Sequence, residues 1–393
     1  MELPPTRWTL RAGLGLALLA ALALAVPAQA EAGPRVRNRS QAGARPKAKK
    51  KARRRAPRRT TTNAHRRATR LEHRQQGRRG ATRTSVEKHL AASSKLLTKF
   101  GISRNKANQV AEHIGLGMPS VAGRQDPNSW LLARNEYIVG YSRDLVSPVW
   151  AAWKVSAKNL KKNYKRSKAF RADPTLPKKW PRATNDDYRN SGFTRGHLVA
   201  SGERSASRRA NRKTFVFTNI IPQAEKNNGG PWNHLEHHYR DLASAGHEVY
   251  VMAGGVYSNN PQRIGKNGVA VPDATWKVVV VLKKGQKLTD IDESTRVISV
   301  IIPNENQTVR VKDSFAKYQV PAKAIEAITG HKFFSALPGE IRQKLITKVD
   351  RVDAGRFQRP RNQRGHDRQL ERERRRDLHQ RGSGRQGEAR SAL

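Results

Sequence analysis

The sequence predicts an α+β fold with a central, largely antiparallel sheet flanked by helices, and three observations support it. Short runs of β-branched and aromatic residues recur through the middle of the chain. Helical periodicities fall among them without the regular strand–helix alternation of a parallel sheet. No internal repeat period stands out. In order, the strand runs are 137–141 (YIVGY), 149–155 (VWAAWKV), 214–221 (TFVFTNII), 248–253 (EVYVMA), 276–282 (WKVVVVL) and 297–302 (VISVII). Leu96, Leu97, Phe100, Val110 and Ile114 give 91–114 a helical spacing that stops at Gly115. Residues 231–245 and 314–329 also read as helices, the second stopping at Gly330.

The chain has 393 residues, with Lys+Arg 78 against Asp+Glu 31 and a formal net charge of +47. Hydrophobic residues make up 36%, below the roughly 45–50% of ordinary globular chains, so part of the chain is expected not to fold. Residues 31–90 hold 21 Lys+Arg against 3 Asp+Glu, with runs such as KAKKKARRR at 47–55 and few apolar side chains larger than alanine. They read as a disordered basic arm for phosphates or another anionic surface. Residues 351–393 repeat the theme as a basic C-terminal tail, 13 basic against 6 acidic. Residues 1–30 read as a signal peptide: Arg7 and Arg11, the apolar run LGLALLAALALAV at 14–26, then Ala28-Gln29-Ala30. That run is shorter than the about 20 residues a membrane span needs. The expectation is a secreted or periplasmic protein with no membrane span once the signal is cleaved. A helical segment of unassigned role (91–129) and a folded domain (130–350) remain. With Cys 0, disulfides, cysteine zinc sites, iron–sulfur clusters and thiol nucleophiles are excluded.

Between 194 and 240 polar residues crowd among the strand and helix signals: Thr194-Arg195-Gly196-His197, Phe217 to Gln223 (FTNIIPQ), Asn228-Gly229-Gly230-Pro231-Trp232, Leu235-Glu236 and Arg240. The set suits phosphodiester cleavage, which needs a base for water, a cation for the phosphate oxygens and stabilisation of the leaving oxygen. His197 is a candidate base, since an imidazole of ordinary pKa about 6.5 is largely neutral at pH 7. Arg195 supplies a planar, permanent charge. Asn228 offers a neutral oxygen to Mg²⁺, an ion that keeps most of its waters. Glu236 falls on the helix that follows, and Arg240, four residues on, shares its face.

At these same residues the chain resembles the DNA/RNA non-specific endonucleases, the family that includes mitochondrial endonuclease G. Their signature runs Asp-Arg-Gly-His, Thr-Asn-x-x-Pro-Gln, then Asn-x-Gly-x-Trp-x-x-Leu-Glu. Here it reads TRGH at 194–197, TNIIPQ at 218–223 and NGGPWNHLE at 228–236, and the resemblance extends over about 135–337. It implies a ββα-metal nuclease fold, cleavage of DNA and RNA with little sequence preference, and 5′-phosphate ends. It further implies His197 as general base, Asn228 as the one direct protein ligand of a single Mg²⁺ or Mn²⁺, and Arg195 as a phosphate contact. Asn219 would hydrogen-bond near the histidine and the metal's waters, while Glu236 and Arg240 would support the water shell and the phosphate. Thr194 stands where the family has Asp, which keeps a hydrogen-bonding group and removes a charge.

Two other readings fit parts of the same sequence. A non-catalytic basic protein that binds nucleic acid or an anionic surface would account for the charge but not for Arg195, His197, Asn228 and Glu236 together. His234 and His238, spaced i and i+4, could chelate zinc, yet the His-Glu-x-x-His order is absent.

Overall fold

The computed structural model describes residues 60–161, 167 and 169–350; the expected signal peptide, residues 31–59 of the basic arm and the C-terminal tail lie outside them. Helices α1 (Thr60–Lys99) and α2 (Arg104–Ala111) lead into strands β1 (Trp130–Ala133), β2 (Ile138–Ser142) and β3 (Ser147–Val155). Then come α3 (Asn185–Tyr188), β4 (Thr194–His197), α4 (Arg208–Lys213), β5 (Ile220–Gln223), α5 (Glu225–Gly229) and α6 (Pro231–Ser244). The chain continues through β6 (Glu248–Val256), β7 (Arg263–Ile264), β8 (Val269–Ala270), β9 (Ala274–Leu282) and β10 (Arg296–Pro303), ending in α7 (Ala322–Thr329) and α8 (Gly339–Ile346). The main sheet runs β1-β2-β3-β6-β9-β10, antiparallel throughout, and β4-β5 forms a separate two-stranded ribbon. No helix among the described residues is long and apolar enough to cross a membrane.

One row across the sheet shows how its sequence sets its packing. Leu131, Gly140, Trp150, Gly254, Trp276 and Ile301 are successive partners from β1 to β10. The two indoles are fully buried and lie across the glycines. A Cβ at Gly254 would fall 2.8 Å from the Trp276 ring, so only glycine lets the indole cross its neighbour strand. This face packs with Val86 and Leu97 of α1, Ala107 and Val110 of α2, and Ile325, Ile341 and Leu345 of α7 and α8 in one apolar cluster. The other face carries Trp153, Thr275 and Lys277 toward α5, α6 and the ribbon.

Several sequence expectations need correction. Residues 60–90 are helical rather than disordered. Thr82, Val86, Ser93 and Leu97 are buried and Leu90 packs against the same core, a stripe at helical spacing that the basic composition hides. Arg78 further pins the helix through Glu293 and Glu340. The expected helix over 91–114 is broken after Lys99, around Gly101 (φ 86). The run 214–221 is a strand only from Ile220, because Asn219 folds Phe217–Asn219 into a 3-10 turn. Pro321 splits 314–329, so that the helix begins at Ala322. The edge strand β1 (WLLA) lacks the run of β-branched residues that marks β6, β9 and β10.

Candidate active site

β4 is four residues long, with Thr194 opposite Gln223 and His197 opposite Ile220. Alternation along the strand puts Arg195 and His197 on one face, Thr194 and Gly196 on the other. The first face is organised by Phe170. Its ring lies 4.6 Å from the Arg195 guanidinium and 5.4 Å from the His197 ring, and Phe215 meets His197 edge-on at 4.9 Å. His197 is thereby buried to 7% exposure. Arg195 is exposed and donates to Asn185 Oδ1 at 2.7 Å, which aims its fork along the same surface.

On the other face, the Thr194 hydroxyl donates to the Gln223 carbonyl at 2.7 Å and accepts from Asn228 Nδ2 at 2.9 Å. Asn228, half-buried on α5, therefore has its amide nitrogen held and its Oδ1 turned away from Thr194. This is what the threonine at the first signature position does: it fixes which way the asparagine points, without adding a charge. Gly196 faces the Gln223 side chain too closely for any Cβ. Gln223 Nε2 donates to Asn227 Oδ1 at 2.8 Å, and Asn227 Nδ2 donates to Thr275 Oγ1 at 3.0 Å and to the Pro303 carbonyl at 3.0 Å. These two buried amides bolt the ribbon to β9 and β10.

α6 closes the site from the sheet side. The Trp232 indole donates to the His197 carbonyl at 3.3 Å, and Lys277 Nζ sits 3.7 Å from the centre of the Trp232 ring. The same ammonium lies 3.5 Å from Glu236 Oε1. Below them Glu203, also fully buried, accepts from the Tyr239 hydroxyl and the Trp153 indole. Burial pushes the Glu203 carboxyl up, and the neighbouring Glu236 charge pushes it the same way. Burial pushes Lys277 down, against the pull of Glu236 and Glu203. Arg240 packs over Gly202 and brings a positive charge beside Glu203. Glu236 thus belongs to one buried ionic cluster with Lys277 and Glu203, and half-buried Arg240 stands at its edge.

Thr194 links Asn228 to the strand that carries Arg195 and His197, and Trp232 links that strand to the helix of Glu236 and Arg240. Asn219 hydrogen-bonds next to His197, through the backbone of the segment that follows it. It is fully buried, and its amide is spent on backbone: Oδ1 accepts from Val199 N–H at 3.0 Å, and Nδ2 donates to the carbonyls of Val199 at 3.0 Å and Thr214 at 2.9 Å. It clamps the segment just after His197 to the segment around Thr214, because the buried backbone groups of both need partners. Sequence reasoning missed Lys277, Glu203, Phe170 and Asn185. A lone lysine inside WKVVVVL was the one available signal, since a charge amid a buried strand run calls for a partner.

The α6 histidines diverge. His234 Nδ1 meets the Asp313 carbonyl, His237 Nδ1 meets the Asn233 carbonyl, and Arg296 donates to His238 Nε2, an imidazole that burial and that same arginine push down from its ordinary pKa. Among the described residues no group of three or more His, Asp or Glu is placed to hold a metal ion. Asn228 Oδ1 as a single neutral oxygen donor suits a hard divalent ion that retains its waters, and does not suit zinc.

Known proteins similar to this chain are nucleases. Residues 122–340 match the family model of the DNA/RNA non-specific endonucleases. The chain is 36% identical over 244 residues to a nuclease of Nostoc sp., covering 61% of this chain and 87% of that one. It is 31% identical over 253 residues to the mitochondrial nuclease EXOG of Danio rerio, covering 60% and 70%. A solved structure of the EndoG/EndoGI complex superposes with a TM-score of 0.51 at 26% identity, over 60% of this chain and 94% of that one. More than half of the chain, signature strand included, matches one family, and the protein belongs to the DNA/RNA non-specific endonucleases.

Proposed function

We propose that the protein is an exported, divalent-metal-dependent endonuclease that hydrolyses phosphodiester bonds of DNA and RNA, with His197 as general base. The observation that carries this reading is the division of labour on β4. One face presents Arg195 and His197 together, and the other holds Asn228 by its amide nitrogen.

His197 takes a proton from the attacking water, whose oxygen then forms the new bond to phosphorus as the bond to the leaving oxygen breaks. The rings of Phe170 and Phe215 keep the imidazole in one orientation and shield it from bulk water. Arg195, stacked on Phe170 and tethered to Asn185, offers its guanidinium to the non-bridging phosphate oxygens. Asn228 Oδ1 is the protein donor for Mg²⁺ or Mn²⁺, and such an ion would neutralise charge on the phosphate and the leaving oxygen. Lys277 holds Glu236 at the foot of this arrangement. Asn219 keeps the turn after His197 in place.

Supercoiled plasmid and RNA, incubated with the purified protein with and without chelator, test the proposal. Cutting should need a divalent ion, and His197→Ala should lower it by about 10²–10⁴-fold while DNA binding persists. Wild-type-like cutting by that variant would falsify the base assignment. Binding without cutting by the wild type would leave the non-catalytic reading. Export rests on the apolar run at 14–26 and Ala28-Gln29-Ala30. Sequencing of the mature N-terminus should begin at Glu31, and an intact Met1 on the exported protein would contradict it.

A further inference from the structure

Along the segments whose rings pack on His197 the chain gathers five cations around one concavity. Arg171, Arg208, Arg209, Arg212 and Lys213 line a depression of about 500 Å³. It is joined to the proposed site by backbone. Arg171 directly follows Phe170, its N–H donates to the Phe215 carbonyl at 3.0 Å, and its own carbonyl accepts from Phe217 N–H at 3.0 Å. The two aromatic rings that pack on His197 therefore belong to the segments that form one wall of the basic depression.

The other wall is α4, four of whose six residues are basic. Ser207 caps it by accepting from Ala210 N–H at 3.3 Å. Buried Asn211 fixes it by donating to the Ser201 carbonyl at 2.8 Å and accepting from Ser167 N–H at 3.0 Å. With Asn211 turned inward, Arg208, Arg209 and Arg212 stand exposed. Arg208 and Arg212 are four apart, a like-charge pair that weakens a helix. None of the five cations forms an ion pair or a side-chain hydrogen bond with another described residue. The acid nearest in sequence to Arg171, Asp173, is buried and spent on Arg134 and Thr218.

A depression of this size falls within the roughly 300–1,000 Å³ range of ligand sites. One walled by five cations with no acidic partner among the described residues selects a chain of phosphates. We infer that it is a backbone subsite, which grips phosphates of the substrate strand flanking the one cut at His197. This inference rests on the nuclease reading above. Such contacts fix the strand's register and carry no base information.

The test compares the full-length protein with Arg208→Ala/Arg209→Ala/Arg212→Ala, all exposed positions, and with a control that loses three arm cations (Lys49→Ala/Lys50→Ala/Lys51→Ala). Binding to a single-stranded 20-mer is measured by fluorescence anisotropy without divalent ion, and KM is measured on the 20-mer and on a dinucleotide. The triple arginine variant should raise KM for the 20-mer at least tenfold and leave the dinucleotide within twofold. Its log Kd against log salt slope should fall by about 2, at about 0.7 for each phosphate no longer neutralised. The Arg→Lys triple should keep most of the affinity. Equal losses from the arm control, equal losses on the dinucleotide, or an unchanged 20-mer KM would each overturn the subsite. Wild type that binds with the expected slope yet cuts nothing would sink the nuclease reading and leave the subsite standing as a binding site.

Discussion

The main sheet and the β4–β5 ribbon are both antiparallel, yet different forces hold them. β9 is buried along its whole length, and the sheet row from Leu131 to Ile301 is fixed by indoles lying across glycines. The ribbon has only four residues per strand and is positioned by polar side chains: Asn219 on Val199 and Thr214, Gln223 on Asn227, Thr194 on Asn228, and Trp232 on the His197 carbonyl. Burial of apolar area is strong but tolerant of position. Hydrogen bonds add less stability and fix atoms to within a few tenths of an ångström. The sheet therefore holds the fold together, and the ribbon sets where reacting groups stand.

The largest expected effect breaks the sheet half of that contrast. Trp276 is fully buried, donates to the Gly255 carbonyl at 3.2 Å and packs edge-on to His331 and Phe333. Trp276→Ala should cost about 3–5 kcal/mol of stability, read as a lower urea midpoint. Activity per folded molecule should stay close to wild type, because Trp276 faces away from Lys277 and the site. A loss below about 1 kcal/mol, or a folded but inactive variant, would erase the distinction.

The same contrast explains what was legible in the sequence. The runs EVYVMA, WKVVVVL and VISVII mark β6, β9 and β10 because area burial leaves a compositional trace. The site was legible through residue order, not pattern: TRGH, TNIIPQ and NGGPWNHLE carry side chains whose roles depend on hydrogen bonds. That is also why residue order alone does not give the partners of Asn219. An asparagine in the right motif can serve a ligand or a backbone turn, and only the three backbone groups around it decide which. The stripe of Thr82, Val86, Ser93 and Leu97 was hidden for the opposite reason. Its few buried side chains are diluted by arginines and lysines on the exposed side of α1, so composition averaged over the segment points to disorder.

The smallest expected effect sharpens the ribbon half, through one hydroxyl. Thr194→Val keeps the shape of the side chain and removes both the donor to Gln223 and the acceptor for Asn228 Nδ2. Two hydrogen bonds at the ribbon's edge put the stability cost at about 1–3 kcal/mol. The stronger signature lies in the metal titration, because an Asn228 amide free to rotate presents its oxygen and its NH₂ almost equally well. The Mg²⁺ concentration for half-maximal cutting should rise about tenfold, the lower end of what outer-shell partners contribute to metal affinity. The rate at saturating Mg²⁺ should fall far less, and Thr194→Ser should restore the titration. A variant that loses stability but keeps the wild-type Mg²⁺ midpoint would show that the hydroxyl only braces the ribbon, and the orientation of Asn228 would then need another cause.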